Sequence, residues 1–99
     1  MNGDNNTITL KVSGQTAPHA LKTATAGYLK DGKTVYLDCI GVLPNYVAVK
    51  VIIMLRGLLS TMGKALNADP FFHDISLDGP TIGVSEKTGI RWILKQREN

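Results

Sequence analysis

Cysteine and histidine are scarce in this chain, and each shortage closes a class of function. A single cysteine among 99 residues, Cys39, excludes an internal disulfide and cannot by itself supply a thiolate metal site. It lies in the strand-like run from Val35 to Cys39, on the side shared with Val35 and Leu37, which marks it as a buried, inert thiol. The two histidines, His19 and His73, have no cysteine or matched carboxylate close by, so no zinc site is expected. Ser13 lacks a recognisable histidine and acid to activate it. Gly57 and Gly63-Lys64 fail as a phosphate-cradling loop: five residues separate the glycines instead of four, and Ala65 follows where a hydroxyl is needed. Neither an enzyme nor a cofactor is expected.

Long uninterrupted apolar runs are also missing. The longest, Val47 to Leu59, is broken by Lys50 and Arg56 and falls short of the roughly 20 residues a membrane span needs. No charged, then apolar, then small-residue leader opens the chain, so a soluble cytoplasmic protein without membrane contact is expected. The eleven Lys and Arg residues against eight Asp and Glu leave a net charge of +3, a mild excess that hints weakly at phosphate-bearing partners.

What is present is pattern. Met1 to Asn6 reads as a polar, disordered leader, and residues 7–97 as one domain. Ile8, Leu10 and Val12 alternate with Thr7, Thr9 and Lys11, the period of a half-buried strand. A turn at Ser13-Gly14-Gln15-Thr16 leads to Pro18, which suits a first helical position because it has no amide hydrogen to lose. The helix that follows is expected to bury Ala17, Ala20, Leu21, Ala24 and Tyr28 and to stop at Asp31-Gly32. Thr34 to Ile40 forms a second strand. Pro44 then opens a second helix, which should unwind between Gly57 and Gly63.

Pro70 makes the next segment, Ala65 to Asp78, either a bulged edge strand or two short strands, with Phe71, His73, Ile75 and Leu77 on one face. A turn-rich tip over Thr81 to Glu86 separates it from a last strand near Ile90 to Lys95. The order β-α-β-α-β-β predicts an α/β sandwich: a four-stranded mixed sheet with both helices on one face.

The second helix is apolar almost all round. Val47, Val51, Met54 and Leu58 form one line, Ala48, Ile52, Leu55 and Leu59 a second, and Val49 and Ile53 occupy the remaining side. A helix covered on one face alone shows a polar back. This one calls for two covers, a sheet and a second copy of the chain, with Val49 and Ile53 at the seam. Cations are placed differently. Lys11 ends the first strand just before a helix N-terminus, where amides favour phosphate. Lys87, Arg91 and Lys95 fall on the final hairpin, and a basic two-stranded arm can enter a DNA groove, although ordinary surface charge reads the same way. Trp92 could stack on bases, but its alternation with Ile90 and Leu94 argues for the core.

Leu10-Lys11-Val12-Ser13, Pro18, the Ala-rich helix to Gly27 and Ile40-Gly41 resemble the opening of the stage V sporulation protein S family. Ala48-Val49-Lys50, Arg56-Gly57, Pro70-Phe71 with Asp74, and Asp78-Gly79 continue the likeness in order, from Thr9 to Ile93. That family is similar to the Alba superfamily. The resemblance implies an Alba-like fold, a homodimer or tetramer, and DNA or RNA binding with a regulatory role in sporulation. Lys50 and Arg56 match family positions and would flank the dimer seam. Where Alba-type proteins carry a basic pair, this chain has Gly14-Gln15-Thr16, which leaves Gln15 as the turn's contact beside Lys11, Lys87, Arg91 and Lys95. Tyr46-Val47 replaces an Asn-Gln pair of the sporulation relatives, and the tip from Gly79 to Gly89 is longer. A self-associating scaffold that binds no nucleic acid is the alternative.

Overall fold

The computed structural model describes residues 6–76 and 86–98. The elements run β1 (Thr7–Val12), α1 (Pro18–Lys30), β2 (Thr34–Cys39), α2 (Val42–Ser60), β3 (Lys64–Ser76) and β4 (Glu86–Glu98). One sheet of order β1-β2-β4-β3 results, with β1 parallel to β2 and the other pairs antiparallel. This is the expected α+β architecture.

Both helices share one core against one face of that sheet. Leu21, Ala26 and Leu29 of α1 and Val47, Ala48, Val51, Ile52, Leu55 and Leu59 of α2 pack with Val12, Val35, Leu37, Cys39, Leu66 and Leu94. The period of two along the strands sends Val35, Leu37 and Cys39 to this face and Tyr36 and Asp38 to the other. Trp92 lies on the helix side, its indole N–H donating to Asn45 Oδ1 at 2.9 Å, so it belongs to the core margin. Asn45 Nδ2 in turn donates to the Gly41 carbonyl at 2.7 Å. That pair of bonds ties the first turn of α2 to β4. Gly41 precedes α2 at φ 93°, and Gly32 follows α1 at φ 81°, where a side chain would be strained.

Four local expectations change. The buried side of α1 is Leu21, Thr25, Ala26 and Leu29, while Ala20 and Ala24 are exposed. Rolling the helix this way buries two leucines, whose apolar area outweighs that of the alanines. Second, α2 begins at Val42, not at Pro44. Proline is tolerated there because the first four amides of a helix have no intrahelical partner. Third, Gly57 is helical and α2 runs on to Ser60, held by the buried Leu55 and Leu59 that flank the glycine in sequence. At 19 residues, α2 is long and apolar enough to cross a membrane by length and composition, yet six of its residues are built into the core.

Fourth, β3 is one unbulged strand that keeps a constant register with β4 from Lys64↔Glu98 to Ser76↔Glu86. Pro70 fits because β3 is an edge strand, with one side free of ladder bonds. β4 is accordingly longer than expected. Leu77 and the tip residues 81–85 lie outside the described residues, as do residues 1–5 of the expected leader. Asn6, at the leader's end, accepts a 2.7 Å hydrogen bond from the Thr34 amide.

Candidate self-association and nucleic-acid surfaces

The outer side of α2 carries the first surface. Val42, Tyr46, Val49 and Ile53 recur at helical spacing and all are exposed, Val42 at 83% and Ile53 at 63%. Leu43 adds to this stripe at 65%. Lys50 and Arg56 are exposed beside it, and the Lys50 ammonium lies 5.3 Å from the Tyr46 ring centroid. All four residues expected at a seam, Val49, Lys50, Ile53 and Arg56, therefore face outward from the single chain.

The stripe continues past the start of α2. A groove of about 470 Å³ runs between Val42 and Asn45 on one side and Phe72 and Ile90 on the other. Phe72 is 85% exposed on edge strand β3, the highest exposure among the large apolar side chains of the described residues. Sequence reading missed Phe72. Its signal was a second aromatic directly after Phe71, which in a strand must point to the opposite face.

The β1–α1 turn abuts the same end of the molecule. The Ser13 amide donates to Thr16 Oγ1 at 2.9 Å, and the Gln15 amide donates to Ser13 Oγ at 3.2 Å. These local bonds fold the turn so that Gly14 touches Leu43, where an added Cβ would stand 2.9 Å from the leucine Cβ. Gln15 is exposed at its tip.

The second surface is the sheet face away from the helices. The registers set its residues in rows across the strands: Lys11, Asp38, Arg91 and Phe71, then Thr9, Tyr36, Ile93 and Asp69. Arg91 grips Asp38 with two bonds, Nε to Oδ1 at 2.8 Å and Nη2 to Oδ2 at 2.9 Å. Its guanidinium also lies 4.5 Å from the Tyr36 ring centroid. The hydrogen bonds to Asp38 hold the Arg91 pKa above its ordinary value, against the opposing effect of partial burial. Asp38 is buried although it faces away from the core, because this pair covers it. Lower on the same hairpin, Arg97 Nε donates to Asn67 Oδ1 at 2.9 Å.

The expected basic arm divides. β4 pairs with β2 over Ile90 to Leu94, so Arg91 is inside the sheet. Lys87 stands beyond β2 on the two-stranded stretch toward the tip, and Lys95 is exposed past the opposite end of that pairing. Eight residue steps along the strand put the two lysines about 27 Å apart. Lys11 and Arg91 are brought into one row, while Lys87, Lys95 and Gln15 are not gathered with them.

No three His, Cys, Asp or Glu side chains converge on a metal-sized site among the described residues. Burial pushes the Cys39 thiol up to about 12, helped by the nearby Asp38 charge, so it stays protonated and unreactive near neutral pH. A family model described as Stage V sporulation protein S (SpoVS) matches residues 8–97.

Proposed function

The chain belongs to the stage V sporulation protein S family, sporulation-related regulatory proteins, and from that premise we propose a non-enzymatic homodimer that binds nucleic acid. The exposed apolar stripe of α2 carries the dimer reading. α2 is about 28 Å long, and its outer line from Val42 to Ile53 has no cover in the single chain. Two antiparallel copies would bury Val49 and Ile53 at the centre, with Lys50 and Arg56 at the rim. Contiguous apolar surface at Phe72 and Leu43 would extend that contact toward the area of a stable interface.

Nucleic-acid binding is supported by the net positive charge and by the exposed cations Lys11, Lys87, Lys95 and Arg97. Gln15 at the turn tip would add a neutral contact. Affinity for a duplex oligonucleotide should then fall with a log-log salt slope of about 0.9 per phosphate neutralised. Sedimentation of the protein alone and anisotropy titration at two salt concentrations test the two halves separately. A monomer at micromolar concentration removes the dimer. Absence of binding at low salt removes nucleic acid.

A scaffold that recruits protein is the second reading, and the Asp38–Arg91 pair favours it. The cation nearest the centre of the hairpin is committed to a carboxylate, which lowers the field it offers to phosphate. Assembly that survives high salt in a protein indifferent to oligonucleotides would identify this case.

A further inference from the structure

Aromatic rings and cations share the helix-free face of the sheet, and the two together suit a specific form of nucleic acid. Phe71 is 54% exposed there, directly across from Arg91. Tyr36 is half-buried one row away, on the far side of β4, with the Arg91 guanidinium against its ring. Two strand spacings and one row place the Tyr36 and Phe71 backbones about 12 Å apart. Half-buried Ile93 fills the position beside Tyr36, which leaves an apolar floor between the rings.

Charge surrounds this floor. Lys11, Lys95 and Arg97 are exposed on the same face, against the exposed carboxylate of Asp69. Asp38 adds little negative field because Arg91 neutralises it within hydrogen-bonding distance. Duplex DNA hides its base faces, so it could use the cations and leave the rings idle. A single strand exposes both phosphates and base faces, and it is the ligand that uses both.

We propose that the open sheet face, centred on Tyr36, Arg91 and Phe71, is a stacking platform for single-stranded nucleic acid. The proposal deepens the nucleic-acid reading above and rests on it. Bases stack on Phe71 and on the Tyr36–Arg91 pair, while Lys95, Arg97 and Lys11 meet the backbone. The Asp38 clasp then has a second role: it fixes the guanidinium plane against Tyr36, so that the stacked pair is already formed before a base arrives. Trp92 takes no part, because it lies on the helix face.

The test compares a twelve-nucleotide oligo(dA) with an abasic strand of equal length and charge, using the full chain. Oligo(dA) should bind at least tenfold more tightly, since stacking adds to a shared electrostatic attraction. Phe71→Ala should weaken oligo(dA) about tenfold or more and leave the abasic strand within about twofold, whereas Phe71→Trp should restore binding. Far-ultraviolet circular dichroism and urea unfolding of each variant check that the fold is intact. Equal binding of the two strands, or a Phe71→Ala variant with unchanged affinity, overturns the platform. If duplex still binds in that case, the broader nucleic-acid reading stands; if no oligonucleotide binds at low salt, both fall. A Phe71→Ala change that alters oligomeric state but not oligonucleotide affinity assigns the face to protein contact instead and also overturns the proposal.

Discussion

The two outward surfaces of this molecule solve opposite problems. The outer line of α2 is mostly aliphatic and without cover, so Val42, Val49 and Ile53 gain by leaving water. The open sheet face mixes rings with polar groups that already have internal partners, Asp38 and Arg91 satisfying one another and the guanidinium lying against Tyr36. Burying such a face against protein would require matching each charge, whereas burying the α2 stripe requires shape alone. The proposed dimer seam and the proposed nucleic-acid platform divide along this line.

The most forceful way to break the comparison is a charge on the stripe. Ile53→Asp should weaken self-association at least about 100-fold, since a symmetric contact would bury two unpaired carboxylates. The isolated fold should hardly change, because Ile53 is 63% exposed. Sedimentation equilibrium and urea unfolding read these separately. A variant that remains dimeric puts the seam elsewhere.

On the sheet face the same logic reverses, and loss of one partner should damage the monomer. Arg91→Ala leaves the buried Asp38 carboxylate without its fork and should cost about 3 kcal/mol in urea unfolding. Arg91→Lys should recover part of this, because an ammonium cannot make the bidentate contact. If Arg91→Ala is neutral, the clasp is an ordinary surface pair and the contrast between the faces weakens.

Gly89 sharpens the contrast at a smaller scale. A Cβ there would run into the Cys39 carbonyl and the Ile75 side chain, so Gly89→Ala should cost about 2 kcal/mol by overpacking. Gly57, on the solvent side of α2, meets nothing within 4 Å, and Gly57→Ala should be neutral or stabilising by up to about 1 kcal/mol. Equal effects of the two substitutions would contradict the packing described.

Beneath both surfaces, Cys39 gives the smallest effect. An unfolded thiol loses its proton near 9.0, while the folded one keeps it up to about 12. Above pH 9 the unfolded state therefore binds fewer protons than the folded one, and stability falls as pH rises through that window. Comparing pH 8 with pH 10, Cys39→Val should lose about 1 kcal/mol less than the parent chain. Identical pH dependence would mean that the thiol is hydrated.

Strand and helix order was readable because each strand alternates and α2 carries a near-continuous apolar surface. The roll of α1 was not, since Ala20 and Ala24 offer the same pattern as Leu21 and Leu29 without their area. Nor was the length of β3: Pro70 breaks a central strand but not an edge, and only the order β1-β2-β4-β3 makes β3 an edge. At the candidate site, the outward placement of Val49 and Ile53 was legible, because they lie off the two lines of α2 that fill its core. The surroundings of Tyr36, Phe71 and Phe72 were not, because they depend on which strand lies beside which.

Composition and spacing along the chain were enough to decide what this protein is made of: two helices, alternating strands, one inert thiol, and more oily surface on α2 than a single sheet can cover. Those properties are local, set by neighbours within a turn or two of chain. The pairing of Asp38 with Arg91 across 53 positions, and of Phe71 with the same arginine, was decided by tertiary structure. Cross-strand contacts follow from strand order and register, which arise when the whole core packs at once.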